Sequence, residues 1–420
     1  MNRKFSNQIL TLTVSNSKHY LLLFLLWPFI AFITALANYS QKESRKVVYI
    51  FFIYYGLTYV IGNQGYVDAV GSAMQLRVIS ALPFSDFFKI VGGLYTEGNS
   101  VDIVQKFIVF VVSRFTSYYG VLFASFAVVF GYFYIKSINL LHDRYQENPG
   151  WNALIFMIFF CLILPITSIN GFRMWTAAWI FFYGAYHVII YRDARYLLLA
   201  ISSSLVHWSF LTANVVLLIY FLAGNRNIIY IPIVISSFIL PNLISPFFQS
   251  ISMKVGGPLQ MRYEGYSSEG YIIGIRESYE EASWFLTLSN DLVFYYFLVA
   301  IAIIKFFFGN QMKDKSELNL FSFLLLFLSF INFAKPIPSF GGRFQIVFYL
   351  FAALYVFLFF LKIPGNKINL LTWVGLFPMM LNAAVTFRVG SESINVWIFT
   401  PGLGIPLLVP GLSIADFLFR

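Results

Sequence analysis

Twelve apolar runs, each long enough to cross a bilayer, divide this chain of 420 residues. They fall at about 20–37, 47–62, 118–136, 152–169, 174–191, 196–222, 228–249, 291–308, 318–334, 345–362, 368–386 and 396–415. Roughly 20 apolar residues make one helical span. In lipid only helices and closed barrels satisfy their own backbone polar groups. These runs are too long and too continuous for the alternating strands of a barrel. The expected fold class is therefore all-α. It is a polytopic transmembrane helical protein, with roughly 11–13 membrane-crossing or re-entrant helices in a single integral membrane domain over residues 1–420. The last run contains Pro401, Gly402, Gly404, Pro406, Pro410 and Gly411, so it is expected to be re-entrant or broken.

Charge supports this. Only 11% of residues are charged and 59% are hydrophobic, against about 25% charged in soluble domains. A free soluble enzyme, a disordered chain and a coiled coil are excluded. The net charge of +10 does not point to nucleic acid. The basic residues stand singly or in small groups between apolar runs, where anionic lipid and the positive-inside bias account for them. The single cysteine, Cys161, lies inside the apolar run Phe156–Ile166, so no intrachain disulfide can form. Residues 1–19 are polar, and no small-residue cleavage site follows the first apolar run.

Two connections are long, from Gly62 to about Ser117 and from about Ser250 to Asn290. Long loops in compact proteins are functional or disordered. These carry aromatics and scattered charges rather than low-complexity sequence, which favours function. Placing the loops 38–46, 139–150, 192–195, 223–227, 309–317 and 363–367 in the cytoplasm puts both long loops, about 63–117 and 250–290, outside. Parity then requires 196–222 to contribute two crossings or none.

That run has 27 residues, about 40 Å as one helix. Ser202-Ser203-Ser204 and His207-Trp208-Ser209 interrupt its middle. A hairpin with its apex near His207, entering from the cytoplasm, restores parity. This arrangement splits the 28 Lys and Arg residues evenly, 14 to each side. It also places the N-terminus outside, which Arg3, Lys4 and Lys18 oppose. The alternative has the N-terminus inside and an extra crossing at 103–117, which moves Asp68 to the cytoplasm.

Charge is costly in hydrocarbon, so charges bordering spans are the informative residues. Arg173 follows Asn170-Gly171, a turn pair, and opens the run at 174–191. Its planar fork suits two phosphate or carboxylate oxygens; an interfacial anchor would explain it equally. His207 can take or give a proton near neutral pH, or can serve as a helix-to-helix hydrogen-bonding group. Arg343 ends the stretch Lys335 to Arg343, read as an outward turn whose Gly341 and Gly342 let backbone approach a ligand. The first long loop adds Asp68, Arg77, Asp86, Glu97, Asp102 and Arg114; the second adds Arg262, Tyr263, Glu264, Arg276 and Glu277. Aromatic faces suit sugar rings and carboxylates suit sugar hydroxyls. The chain has no Walker A, GxSxG, HExxH or CxxC motif and no Asp-x-Asp. A nucleotide-sugar site bridged by metal therefore lacks its usual residues.

At Asn170-Gly171-Phe172-Arg173 and His207-Trp208-Ser209 the chain resembles the Wzy-type polysaccharide polymerases, specifically the EpsG-like family. That family shows Asn-Gly-x-Arg-Gln at the head of a span and a helix ending in Phe-His-x-Ser further along. Here Met174 stands in place of the glutamine and Val206 in place of the phenylalanine. The resemblance includes Asp68 in an early outer loop and Gly342-Arg343 before a late span.

The resemblance implies a glycosyltransferase that joins polyprenyl-diphosphate-linked oligosaccharide repeats into surface polysaccharide, such as exopolysaccharide or capsule. It would work on the outer side of the bacterial cytoplasmic membrane. The catalytic candidates are His207, Arg173, Arg343 and Asp68. Asn170, Arg77, Arg114, Arg262, Tyr263, Glu264, Arg276 and Lys335 are candidate substrate-binding residues. No cofactor or metal is expected. The expected partners are the lipid-linked oligosaccharide and the bilayer, with room for a chain-length regulator and a flippase, and no nucleic acid. A flippase for lipid-linked glycan, or a ligase of O-antigen type, uses similar residues and stays open at this point.

Overall fold

A computed structural model describes residues 17–61, 67–83, 85, 102–241 and 284–419 apart from 364 and 366, with scattered positions between 249 and 274. Among the described residues there is no strand, only an isolated bridge between Asn395 and Ser413.

The helices follow in order: α1 (Ser17–Leu26), α2 (Pro28–Ala37), α3 (Lys42–Leu57), α4 (Val67–Ser80), α5 (Ile103–Ser113), α6 (Tyr119–Glu147) and α7 (Trp151–Ile163). A 3-10 turn (Ile166–Gly171) leads into α8 (Phe172–Tyr191), then α9 (Arg195–Val206), α10 (Phe210–Ala223) and α11 (Asn227–Ile239). After the second long connection come α12 (Trp284–Phe307), α13 (Lys315–Ala334), α14 (Pro338–Lys362) and α15 (Leu370–Gly390). Among the described residues, six helical stretches are long and apolar enough to cross a membrane: Tyr119–Glu147, Trp151–Tyr191, Trp284–Phe307, Lys315–Ala334, Phe340–Lys362 and Leu370–Gly390. The protein is a multi-pass, all-α membrane protein.

The centre is α14. From Val347 to Phe360 every side chain is 4% exposed or less. Its sequence has no polar face, and a helix apolar all round must be surrounded. By contrast, α15 leaves Trp373, Val374, Phe377 and Met380 exposed, the pattern of a lipid-facing helix.

The run 196–222 folds as the expected hairpin. Its arms, α9 and α10, have 12 and 14 residues, about 18 and 21 Å, short of the ~30 Å hydrocarbon core. Asn214 Nδ2 donates to the hydroxyls of Ser203 (3.1 Å) and Ser204 (3.0 Å), clamping the arms together. The serine cluster does not interrupt α9, contrary to the sequence reading. The Ser202 and Ser203 hydroxyls bond back to the carbonyls of Leu199 and Ala200, so the helix continues to Val206. The break is at His207, whose backbone is extended (φ −147°, ψ 115°).

The first run also differs from its expectation. Residues 20–37 form two short helices rather than one span, because Pro28 cannot donate to the helix before it. The Tyr20 and Ser44 hydroxyls share a hydrogen bond, and Phe24 meets Tyr54, so α1 advances along α3 in the same direction. Phe29 and Phe32 both meet Phe51, and α2 descends to the turn that starts α3. The chain therefore reverses at Trp27–Pro28. The carbonyls this frees at Leu25 and Leu26 accept from Leu403 and Gly402, and Trp27 Nε1 donates to the Phe399 carbonyl. The final run is broken as expected, into a 3-10 turn (Val396–Phe399) and two short helices, α16 (Ile405–Leu408) and α17 (Ile414–Phe419). It closes over the break in the first.

This reversal settles the parity question differently from either sequence alternative. Residue 17 lies at the end of the bundle where Arg45 pairs with Asp143, the end opposite His207. The first described helix therefore starts at the end opposite His207, whereas the sequence reading starts the first run on the His207 side. No extra crossing at 103–117 is needed. Helices α4 and α5 run side by side, joined by Gln105 Nε2 donating to Ser72 Oγ (2.8 Å), and both begin at Arg173. The chain leaves α5 through Arg114 and enters α6 at Tyr119 beside Leu57, still at the His207 end.

Candidate functional site

Four side chains from four helices meet at the His207 end. The start of α8 is fixed by Phe172, whose ring stacks on Phe126 at 4.0 Å. The next residue, Arg173, reaches across to the first long connection. Its Nη2 donates to Asp68 Oδ1 (3.0 Å) and its Nη1 to Asp102 Oδ2 (3.1 Å). One guanidinium thus bridges two carboxylates, each through a different nitrogen of its planar fork.

Asp102 sits just before α5 and its side chain is 1% exposed. Trp208 N–H donates to Oδ1 (3.0 Å), and His207 Nδ1 lies 3.2 Å from Oδ2 and 3.3 Å from Oδ1. Burial alone would push this carboxyl up. The hydrogen bond and charge of His207, the Trp208 amide and Arg173 outweigh it and hold the carboxyl down to about 2. Asp102 is therefore an anion at any physiological pH.

That anion defines the histidine. With Nδ1 facing a carboxylate, the neutral form of the ring keeps its proton on Nδ1 and its lone pair on Nε2. Nε2 takes no partner among the described residues. Its ring is 9% exposed and is presented by the hairpin apex. A carboxylate holding one nitrogen of a histidine, with the other nitrogen free, is the arrangement of a general base with its orienting group. Arg173 is 31% exposed, and Asp68, its second partner, is half-exposed.

Beside the cluster the 3-10 turn opens a cavity of about 290 Å³, between the end of α7, the start of α8, and α12, α14 and α15. Asn170 lines it, and the Asn170 side chain folds onto its own turn, Oδ1 accepting from Gly171 N–H (2.7 Å). Arg343 lies on α14 one helical turn before Ile346, which also lines the cavity. It is half-buried, and among the described residues it has no hydrogen bond or ion pair. The stretch before it is not an outward loop, because the helix begins at Pro338. Gly341 brings its backbone close to Lys335 and Ala334 of this same chain, where a Cβ would meet their atoms at 2.8–2.9 Å. Its role is a tight helix-to-helix turn.

The remaining candidates are scattered. Lys335 caps α13 with its ammonium 4.4 Å from the Phe294 ring; burial lowers its pKa, opposed by Asp291. Arg114 closes the end of α4, donating to the carbonyls of Leu82 (2.7 Å) and Ile79, so its guanidinium is already committed. Arg77 is exposed in the last turn of α4. Glu264 is exposed and accepts from Gln260 (2.7 Å). Arg262, Tyr263 and Arg276 lie outside the described residues.

Sequence reasoning named Asp102 among loop charges but not as a site residue. The available signal was its position immediately before the apolar run 103–112. The rule that singled out Arg173 applies to it equally, once α5 is recognised as a helix.

The fold and the cluster together define a class: a multi-pass membrane protein with a buried Asp–His pair and a carboxylate-bridging arginine at one end of the bundle. The EpsG family model matches residues 83–395, most of the chain, and the protein belongs to that family. Membership points to a polysaccharide polymerase role. No curated protein and no solved structure matches it.

Proposed function

We propose that the protein is a membrane glycosyltransferase that polymerises polyprenyl-diphosphate-linked oligosaccharide repeats at the outer face of the bacterial cytoplasmic membrane. One observation carries this reading. Arg173, Asp102 and His207, far apart in sequence, form a single hydrogen-bonded unit at the end of the bundle where Asn170–Arg173 and His207–Ser209 lie.

In this reading the growing glycan is bound through its diphosphate. Arg173 exchanges Asp68 for diphosphate oxygens, and Arg343 supplies a second cation. The acceptor is a hydroxyl at the non-reducing end of a new repeat unit. His207 Nε2 takes the hydroxyl proton as the oxygen attacks the anomeric carbon. The bond from that carbon to the diphosphate oxygen breaks, and the lipid diphosphate leaves with the electron pair. Asp102 stabilises the imidazolium that forms, and the arginines offset the charge growing on the leaving group. General-base assistance of this kind contributes about 10²–10⁴-fold in rate.

The test is chain extension by purified protein in liposomes supplied with the lipid-linked repeat unit. Wild type lengthens the glycan. His207→Gln, Asp102→Asn, Arg173→Lys and Arg173→Ala should each lose about 10²-fold or more while still inserting and eluting as folded protein. Wild-type polymer from His207→Gln or Arg173→Ala would overturn the reading. So would lipid-linked oligosaccharide that crosses the bilayer without being lengthened.

A further inference from the structure

The cavity beside the cluster carries a different chemistry from the cluster itself. No Lys, Arg, His, Asp or Glu is among its described lining residues. Its polar groups are neutral: the amides of Asn170, Asn290 and Asn382, the hydroxyls of Thr386 and Ser168, and the indole N–H of Trp175. Several are unspent. Asn170 uses Oδ1 on Gly171 N–H, which leaves Nδ2 to donate. Asn382 uses Nδ2 on Ser289 Oγ (3.2 Å), which leaves Oδ1 to accept. Trp175 Nε1 has no partner among the described residues, and the indole lies against bare backbone, since a Cβ on Gly171 would come within 2.9 Å of it.

Unpaired amides between membrane helices are costly, so a cavity lined by them calls for a polar occupant. A lipid tail offers none of the needed hydrogen bonds. An anionic headgroup would find no cation within the walls. Neutral donors and acceptors at several angles, with one aromatic face, are the requirements of a sugar ring. The volume of about 290 Å³ is at the small end of ligand sites, about 300–1,000 Å³. It suits about one ring.

We propose that this cavity is a subsite for one uncharged sugar residue of the repeat unit, adjoining the Arg173 cluster through the Asn170 turn. The inference rests on the polymerase reading for the origin of the sugar, but binding does not require turnover. A neutral pocket next to a charged one divides the work: Arg173 and Arg343 take the diphosphate, and the amides and Trp175 set which ring is accepted. A uronic acid would bury its carboxylate with no partner and be rejected.

The experiment is saturation-transfer NMR on the full chain in nanodiscs. The probes are methyl glycosides of glucose, galactose, mannose, rhamnose, N-acetylglucosamine, N-acetylgalactosamine and glucuronic acid. At least one neutral glycoside should receive saturation, and the glucuronide should not. Asn382→Leu and Trp175→Ala should each weaken binding about tenfold in protein that still unfolds in a single cooperative transition, and Gly171→Ala should weaken it by displacing the indole. No transfer to any neutral glycoside, equal transfer to the glucuronide, or undiminished binding in both Asn382→Leu and Trp175→Ala would overturn the proposal. The two readings fail separately. His207→Gln should lose polymer yet keep glycoside binding. Binding without any loss of polymer in His207→Gln would sink the polymerase mechanism and leave the subsite.

Discussion

At the scale of residues, Asp102 is the pivot. Among the described residues it is the one carboxylate that touches both Arg173 and His207, and it has a third donor in the Trp208 amide. Its folded value of about 2 lies below the ordinary 3.8. The ionised form therefore contributes stability above pH about 4, on the order of 2 kcal/mol, and that contribution is lost as pH falls toward 2. Thermal melts of purified protein should show this loss between pH about 4 and about 2, and Asp102→Asn should lack it. An identical acid profile in the variant would show that the carboxylate is not held as described. This residue was visible in the sequence only as one charge in a long loop. Arg173 and His207 were legible because each sits in a short motif at the edge of an apolar run. Their common partner was not, because the sequence separation of 105 between Asp102 and His207 is closed by packing rather than by spacing.

At the scale of elements, the bundle is tied at the end away from His207 by ion pairs between helices. Lys362, at the end of α14, reaches both Asp314 and Glu317 at 2.6 Å, and Glu317 is 4% exposed at the start of α13. Removing Lys362 leaves the buried Glu317 carboxylate without its charged partner, while Lys362 itself and Asp314 are partly solvated. Lys362→Met should cost about 1–3 kcal/mol, read as a lowered midpoint in denaturation, and Lys362→Arg should recover most of it. A Lys362→Met protein as stable as wild type would show that Glu317 is solvated by another route. The packing of α8 on α9 matters more directly for the site, since Arg173 begins one and His207 ends the other. They approach closely where Gly184 meets Ala200, with a Cβ at Gly184 falling 2.8 Å from the Ala200 backbone. Small residues at such crossings let membrane helices come together. Apolar runs marked α8 and the hairpin correctly. They could not reveal that α1 and α2 are two short helices, because an internal proline kinks or reverses a helix depending on what donates to the freed carbonyls, here the N–H groups of Gly402 and Leu403.

At the scale of the whole molecule, the two ends of the bundle differ in chemistry. The His207 end gathers Asp68, Asp102, Arg173 and the neutral cavity. The other end gathers Arg45, His142, Asp143, Arg192 and the start of α1. Single cysteines introduced on a Cys161→Ser background test this division. Gly71→Cys, where a side chain meets open space, should be labelled by an impermeant maleimide added outside intact cells. Asp143→Cys and a tag ahead of Ser17 should react only after the membrane is opened. Labelling of Gly71→Cys and Asp143→Cys from one side would refute the arrangement.

The sequence by itself determined the membrane class, most of the spans, the hairpin at His207, and three of the four clustered residues, Arg173, His207 and Asp68. These follow from local properties: the length of an apolar run, the cost of a charge in lipid, and a short motif at a helix end. Only the tertiary structure decided the direction of α1, the separation of Arg114 from the site, and the joining of Asp102 and Asp68 to one guanidinium. Those features depend on which distant carbonyl or carboxylate comes within hydrogen-bonding range once the helices pack. No residue's immediate neighbours in sequence carry that information.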